Sequence, residues 1–187
     1  MRKYEGYEQA EAVIPGDYEM LEPGGYICKI LKVQAEEKDY GTLLRIAFDI
    51  AEGEHEGYYR RRFDQKKQYD ENAKWPGMYY QAAKQDDLRY FKGFITSIEA
   101  SNPGFKWNWD EKKLAGKLFG GVFAEEEYEK QDGSIETIVK CRFVRSVDAI
   151  REGKFKVPEI KRLQNSSPTT NYISQDISQD ILDELPF

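Results

Sequence analysis

Along residues 42–50, Leu44, Ile46, Phe48 and Ile50 point to one side of an extended chain while Arg45 and Asp49 point to the other. Successive side chains of a strand face opposite ways, so this alternation suits a strand with one face in a core. Residues 26–33 are also rich in β-branched and aromatic types, and the polar loop Glu36-Glu37-Lys38-Asp39-Tyr40-Gly41 between the two runs reads as a hairpin. Ahead of them the cluster Glu22-Pro23-Gly24-Gly25 is a turn that delivers the chain into its first strand. Residues 1–25 show no sustained period and read as an extended arm.

After the acidic turn Glu52-Gly53-Glu54-His55-Glu56-Gly57, the run Tyr58-Tyr59-Arg60-Arg61-Arg62-Phe63 reads as a third strand with a basic extension. A polar and aromatic stretch follows, through Trp75-Pro76-Gly77. Leu88, Phe91, Phe94, Ile95 and Ile98 then recur at helical spacing, which predicts a helix over residues 86–100 with Asp86 or Asp87 as N-cap and Asn102-Pro103-Gly104 as its stop. Residues 110–115 suggest one more helical turn, closed by Gly116. Residues 117–128 and 135–147 read as two further strands joined at Lys130-Gln131-Asp132-Gly133-Ser134, the last with Val139, Cys141 and Phe143 inward and Lys140 and Arg142 outward.

Three strands, a helix and two strands is the order of an OB-fold. The expectation is therefore a mainly β protein, a five-stranded Greek-key barrel with its helix between strands 3 and 4. Another small α+β barrel shares the order and stays open as an alternative. Beyond Leu163, Ile and Leu are scattered among Ser, Gln, Asn and Asp, too thinly to offset the entropy of ordering the chain, so a disordered tail is expected. The plan is an arm over 1–25, a barrel over 26–163 and an acidic tail over 164–187.

The formal charge of −6 is distributed unevenly. Residues 164–187 hold four acids (Asp176, Asp180, Asp183, Glu184) and no Lys or Arg, whereas residues 60–92 hold nine bases against five acids. A local excess of cations is what phosphate binding needs, so the overall sign does not exclude nucleic acid. The chain also carries 13 Tyr, 10 Phe and 3 Trp, many rings for so polar a composition, which implies that some face solvent or a ligand.

The basic segment interleaves both groups: Tyr58, Tyr59, Arg60, Arg61, Arg62, Lys66, Lys67, Trp75, Tyr79 and Tyr80. Cations that follow phosphates and flat rings on which bases stack are the requirements for holding a single strand without reading its sequence. These ten residues are the expected DNA contacts. The competing reading makes the rings core and the bases a solvated rim. Lys29, Arg45, Lys140 and Arg142 project from strands and extend the same surface, whereas Phe105-Lys106-Trp107-Asn108-Trp109 reads better as a plug for the barrel bottom.

Catalytic patterns are sparse. The one histidine, His55, sits in an acidic turn away from both Cys28 and Cys141, and no Gly-Lys-Ser/Thr phosphate loop or paired cysteine ligand set is present. Glu52, Glu54 and Glu56 beside His55 read as a solvated turn rather than a metal site. Both cysteines lie in β-type apolar runs and read as buried thiols. No apolar run approaches the roughly 20 residues of a membrane span, and Met1-Arg2-Lys3 leads into a polar stretch rather than a signal sequence. A cytoplasmic protein without cofactor, metal or membrane attachment is expected.

The chain ends in Leu182-Asp183-Glu184-Leu185-Pro186-Phe187, which resembles the C-terminal tip of bacterial single-stranded DNA-binding proteins, with Leu185 where Ile is usual. The resemblance implies docking onto replication and recombination proteins through Asp183, Glu184, Leu185, Pro186 and Phe187. The chemistry fits: one ring for a pocket, a terminal carboxylate for a cation, and a proline that limits the backbone. Leu21-Glu22-Pro23-Gly24-Gly25-Tyr26, Phe48-Asp49-Ile50-Ala51-Glu52-Gly53 and Ser101-Asn102-Pro103-Gly104 resemble proteins of unassigned function carried by phages and mobile elements of Gram-positive bacteria. Together these readings predict a sequence-nonspecific single-stranded DNA-binding protein of phage-type replication or recombination in a bacterial host cell, its state of self-association left open. A protein-only adaptor and an OB-type nuclease are the alternatives.

Overall fold

The computed structural model describes residues 20–130 and 132–163, together with residues 2, 4, 5, 7 and 8. The expected tail over 164–187, with its tip Asp183, Glu184, Leu185, Pro186 and Phe187, lies outside the described residues, as does most of the expected arm. The described chain is mainly β. Strands β1 (Gly24–Lys38), β2 (Gly41–Ile50), β3 (Met78–Lys84), β4 (Leu118–Glu129) and β5 (Ile135–Arg145) form one antiparallel sheet in the order β3-β2-β1-β4-β5. Helix α1 (Tyr58–Lys67) joins β2 to β3, α2 (Arg89–Ser101) joins β3 to β4, and the short α3 (Val147–Arg151) follows β5. A 3-10 turn, Glu111–Leu114, precedes β4.

The long first strand organises the sheet. Its first residues, Gly24 to Lys29, pair with Phe123 to Leu118 of β4, and from Cys28 onward it pairs with β2. Within the pairing to β2 the register shifts between Ile30 and Lys32. Phe48 of β2 meets Phe119 and Phe123 of β4 edge to face, at 5.5 and 6.1 Å between ring centroids. Phe91, Phe94, Ile95 and Ile98 of α2 complete the core, whereas Leu88, expected on the same stripe, is exposed ahead of the helix. Leu21 is buried too, so the domain begins ahead of β1.

The third strand is a correction. Residues 58–63, expected as a strand, form the start of α1, and β3 lies instead at Met78–Lys84. Alternation would place Tyr58 and Tyr59 on opposite faces; burying Tyr58, Tyr59 and Phe63 together requires helical spacing. The helix is started from elsewhere in the chain. Gly57 stands at its N-cap with φ 71° and has no side chain to offer, and the Asp49 carboxylate of β2 accepts from the amides of Tyr59 (2.9 Å) and Arg60 (3.1 Å) instead.

Smaller corrections concern ends and registers. Helix α2 begins at Arg89 with Leu88 at the N-cap position; Asp87 still accepts the Arg89 amide at 3.1 Å. Strand β5 ends at Arg145, and an irregularity beside Val122 and Phe123 of β4 reverses its alternation. Cys141 and Val144 are therefore buried while Phe143 turns outward, against the expectation that Phe143 points in. Gly77 is required for a close approach: a Cβ there would lie 2.3 Å from the Phe48 carbonyl oxygen and 2.7 Å from the Tyr59 ring. Its carbonyl accepts from the Phe48 amide at 2.9 Å, which fixes the entry to β3.

Candidate functional site

Cross-strand partners in an antiparallel sheet share a face. With Leu44, Ile46 and Phe48 in the core, the opposite face of β2 carries Leu43, Arg45, Ala47 and Asp49. Its neighbours follow from the register. Gln34, Arg45 and Tyr80 form one row across β1, β2 and β3; Lys32, Ala47 and Met78 form the next; Lys38, Gly41 and Lys84 lie at the hairpin end. Lys29 stands opposite Asp49. This outer face thus gathers five cations (Lys29, Lys32, Lys38, Arg45, Lys84) around one half-buried ring, against two carboxylates, Glu36 and Asp49.

Both carboxylates are engaged. Glu36 is paired with Lys38 and with Arg45, and these cations, Lys38 first, hold its carboxyl below the ordinary range. Asp49 accepts the Ile50 amide at 2.8 Å besides the two from α1, and burial outweighs those donors to raise its pKa. Arg45 is buried, with its Nε lacking a hydrogen-bond partner, and the Oε1 of its cross-strand neighbour Gln34 is likewise buried and unpartnered. Burial raises the Tyr80 phenol, which therefore stays neutral at physiological pH.

The ten residues expected to contact DNA divide into two groups. Tyr58, Tyr59 and Trp75 are buried core rings: Trp75 donates through Nε1 to the Phe48 carbonyl at 3.0 Å, and Tyr59 meets Phe48 at 5.3 Å. A base has no face of these rings to stack on, which corrects that part of the expectation. Tyr79 points inward and stacks on Phe94 at 6.1 Å. Tyr80 alone of the rings looks out from the sheet. The cations sit on α1. Arg62 donates to the Tyr58 hydroxyl at 2.6 Å and lies over its ring, Arg60 lies over Trp75 at 5.8 Å, and Lys67 over Phe63 at 5.4 Å. Arg61, Arg62, Lys66 and Lys67 are exposed, with Lys66 3.7 Å from Asp70. Arg60 lies beside the Asp49 end of the outer face, its amide donating to the Asp49 carboxylate.

Of the four strand bases, Arg45 and Lys29 belong to this face, whereas Lys140 and Arg142 pair with Glu126 at 4.0 and 3.5 Å. Lys32, Gln34, Lys38 and Lys84 were not among the expected contacts. For the first three the signal is the alternation Lys32, Gln34, Glu36, Lys38 in β1, which acquires meaning only once the register aligns Gln34 with Arg45; Lys84 joins them through its pairing with Gly41.

His55 packs between Tyr26 (5.7 Å) and Tyr58 (6.3 Å), and among the described residues no group of three or more His, Cys, Asp or Glu is placed to hold a metal ion. Cys28 and Cys141 are free and buried, and burial raises both thiols. No described helix is long and apolar enough to cross a membrane. Comparison with protein-family models and with curated proteins finds no match for this chain.

Proposed function

We propose that the chain is a sequence-nonspecific single-stranded DNA-binding protein, an OB-type barrel that lays the strand across the outer face of β1, β2 and β3. The observation that carries the reading is the composition of that face, five cations arranged around Tyr80. Single-strand binding combines a cationic track with rings that stack bases, and such a face offers both. The OB reading draws support from the sheet order, with β1 between β2 and β4, and from α2 between β3 and β4. Exposed cations of α1 extend the track from the Asp49 end.

The tip Asp183-Glu184-Leu185-Pro186-Phe187 recruits replication or recombination proteins of a phage-type system, and neither part needs a cofactor. Edge strand β5 favours a second reading, because Ile135 and Phe143 are large apolar side chains left exposed on it. A barrel that binds only protein through that edge would respond little to salt.

Mapping the contact tests the first reading. Oligo-dT carrying a photoreactive thymine is irradiated with the full chain, and the crosslinked peptides are sequenced. Adducts are expected at Tyr80 and within residues 28–38; adducts confined to β5, or none, would remove the single-strand reading.

A further inference from the structure

We propose that Trp109, in the loop between α2 and the 3-10 turn, is a second stacking platform, one that takes an unpaired nucleobase away from the sheet face. The inference rests on the single-strand reading above and adds a contact that the sequence reading assigned to the barrel bottom. Trp109 is 72% exposed, whereas Trp75 is 2% exposed. An indole left in water contributes little apolar burial to folding. Its backbone is also in the left-handed region at φ 67°, the only non-glycine residue there among the described residues. That conformation is unfavourable for a bulky L-residue, so the surrounding structure must impose it.

What is imposed is an oriented ring. One face of Trp109 lies near-parallel to Phe91 of α2, with centroids 6.1 Å apart and planes at 28°, and Trp107 leans against it at 6.2 Å and 55°. Phe91 is itself core, so the indole stands on a fixed support while much of it meets solvent. The loop is held from below as well: Glu99 of α2 accepts the Trp107 amide at 2.9 Å.

The charges near this ring in sequence suit a nucleotide. Lys106 and Lys112, three residues to either side, are exposed; Lys106 lies 3.6 Å from Glu99, and Lys112 has no ion pair among the described residues. The acids Asp110 and Glu111 also adjoin it, with Asp110 4.0 Å from Lys113 and accepting the Lys112 amide. A flat apolar ring with nearby cations selects a base whose face is open, which a single strand presents and a duplex does not. Stacking of this kind tolerates any base.

The test uses the full chain and its Trp109→Phe and Trp109→Ala variants, titrated with fluorescein-labelled oligo-dT by anisotropy and, separately, with unlabelled oligo-dT by intrinsic fluorescence. Wild-type tryptophan emission should be quenched by oligo-dT and left unchanged by a duplex of equal length. Trp109→Ala should bind roughly tenfold more weakly, with the quench lost and the salt dependence unaltered. Trp109→Phe keeps a ring over Phe91 and guards against a folding defect; it should fall between the two, with a melting temperature close to wild type. Wild-type binding by anisotropy with unchanged affinity in both variants, or a quench that survives in them, would overturn the platform and leave the sheet face standing. No binding by the wild type at low salt would overturn both.

Discussion

Asp49 joins two elements through one carboxylate, accepting from Ile50 in its own strand and from Tyr59 and Arg60 of α1. Because Gly57 brings no capping side chain, those amides have no substitute acceptor near at hand. Asp49→Ala should therefore lower the unfolding free energy by about 1–2 kcal/mol, as for other lost helix caps. Asp49→Asn keeps an acceptor oxygen and should lose less. Burial raises the Asp49 carboxyl, so the folded state holds its proton more tightly than the unfolded chain does. The contribution of this group to stability is then fullest below the ordinary Asp range and declines as pH rises through its folded-state pKa. Urea unfolding across that acid range checks both points: Asp49→Asn should show a shallower decline than wild type, and identical slopes would deny the shift.

At the scale of elements, the proposed strand-binding face is expected to divide its work between charge and ring. Replacing Lys29, Lys32 and Lys84 together by Gln should weaken oligo-dT binding and flatten its salt dependence by about 2 in log–log slope, since each phosphate contact on a single strand contributes roughly 0.7. Tyr80→Leu should weaken binding by about 1–3 kcal/mol with the slope retained. Anisotropy titrations over a salt series separate the two; a triple variant with a wild-type slope would place the track elsewhere. The strands behind this face were legible to different degrees. Alternation identified β2, and the β-rich runs and the turn at Gly133 identified β1, β4 and β5. Residues 58–63 read as a strand because their aromatic content favours one locally, while helix α1 depends on a cap from Asp49, nine residues before Tyr58. Strand β3 went unseen because Met-Tyr-Tyr-Gln-Ala-Ala-Lys has no β-branched residue and no clean alternation. The same dependence on distant partners governed the site. Arg45 and Tyr80 were visible singly, but Lys32 and Gln34 required the register, and Phe143 required the irregularity at Arg142 of β5, opposite Val122 and Phe123.

For the whole molecule, the segregation of charge is the organising fact. The last 24 residues carry −4 of the −6, which leaves the remainder at −2 and lets one sheet face be cationic on an acidic protein. A tethered acidic segment competes with phosphates for such a face at low ionic strength, and salt suppresses the competition. The proposal as a whole is tested most directly by fluorescence anisotropy of labelled oligo-dT and of a labelled duplex of equal length, at low and at high salt, with the full chain and with a chain ending at residue 177. Oligo-dT should bind well at low salt and weaken steeply as salt rises, with the duplex far weaker throughout and the shortened chain at least as tight as the full one at low salt. Absence of oligo-dT binding at low salt, or binding indifferent to salt, would contradict the assignment of this protein to single-stranded DNA.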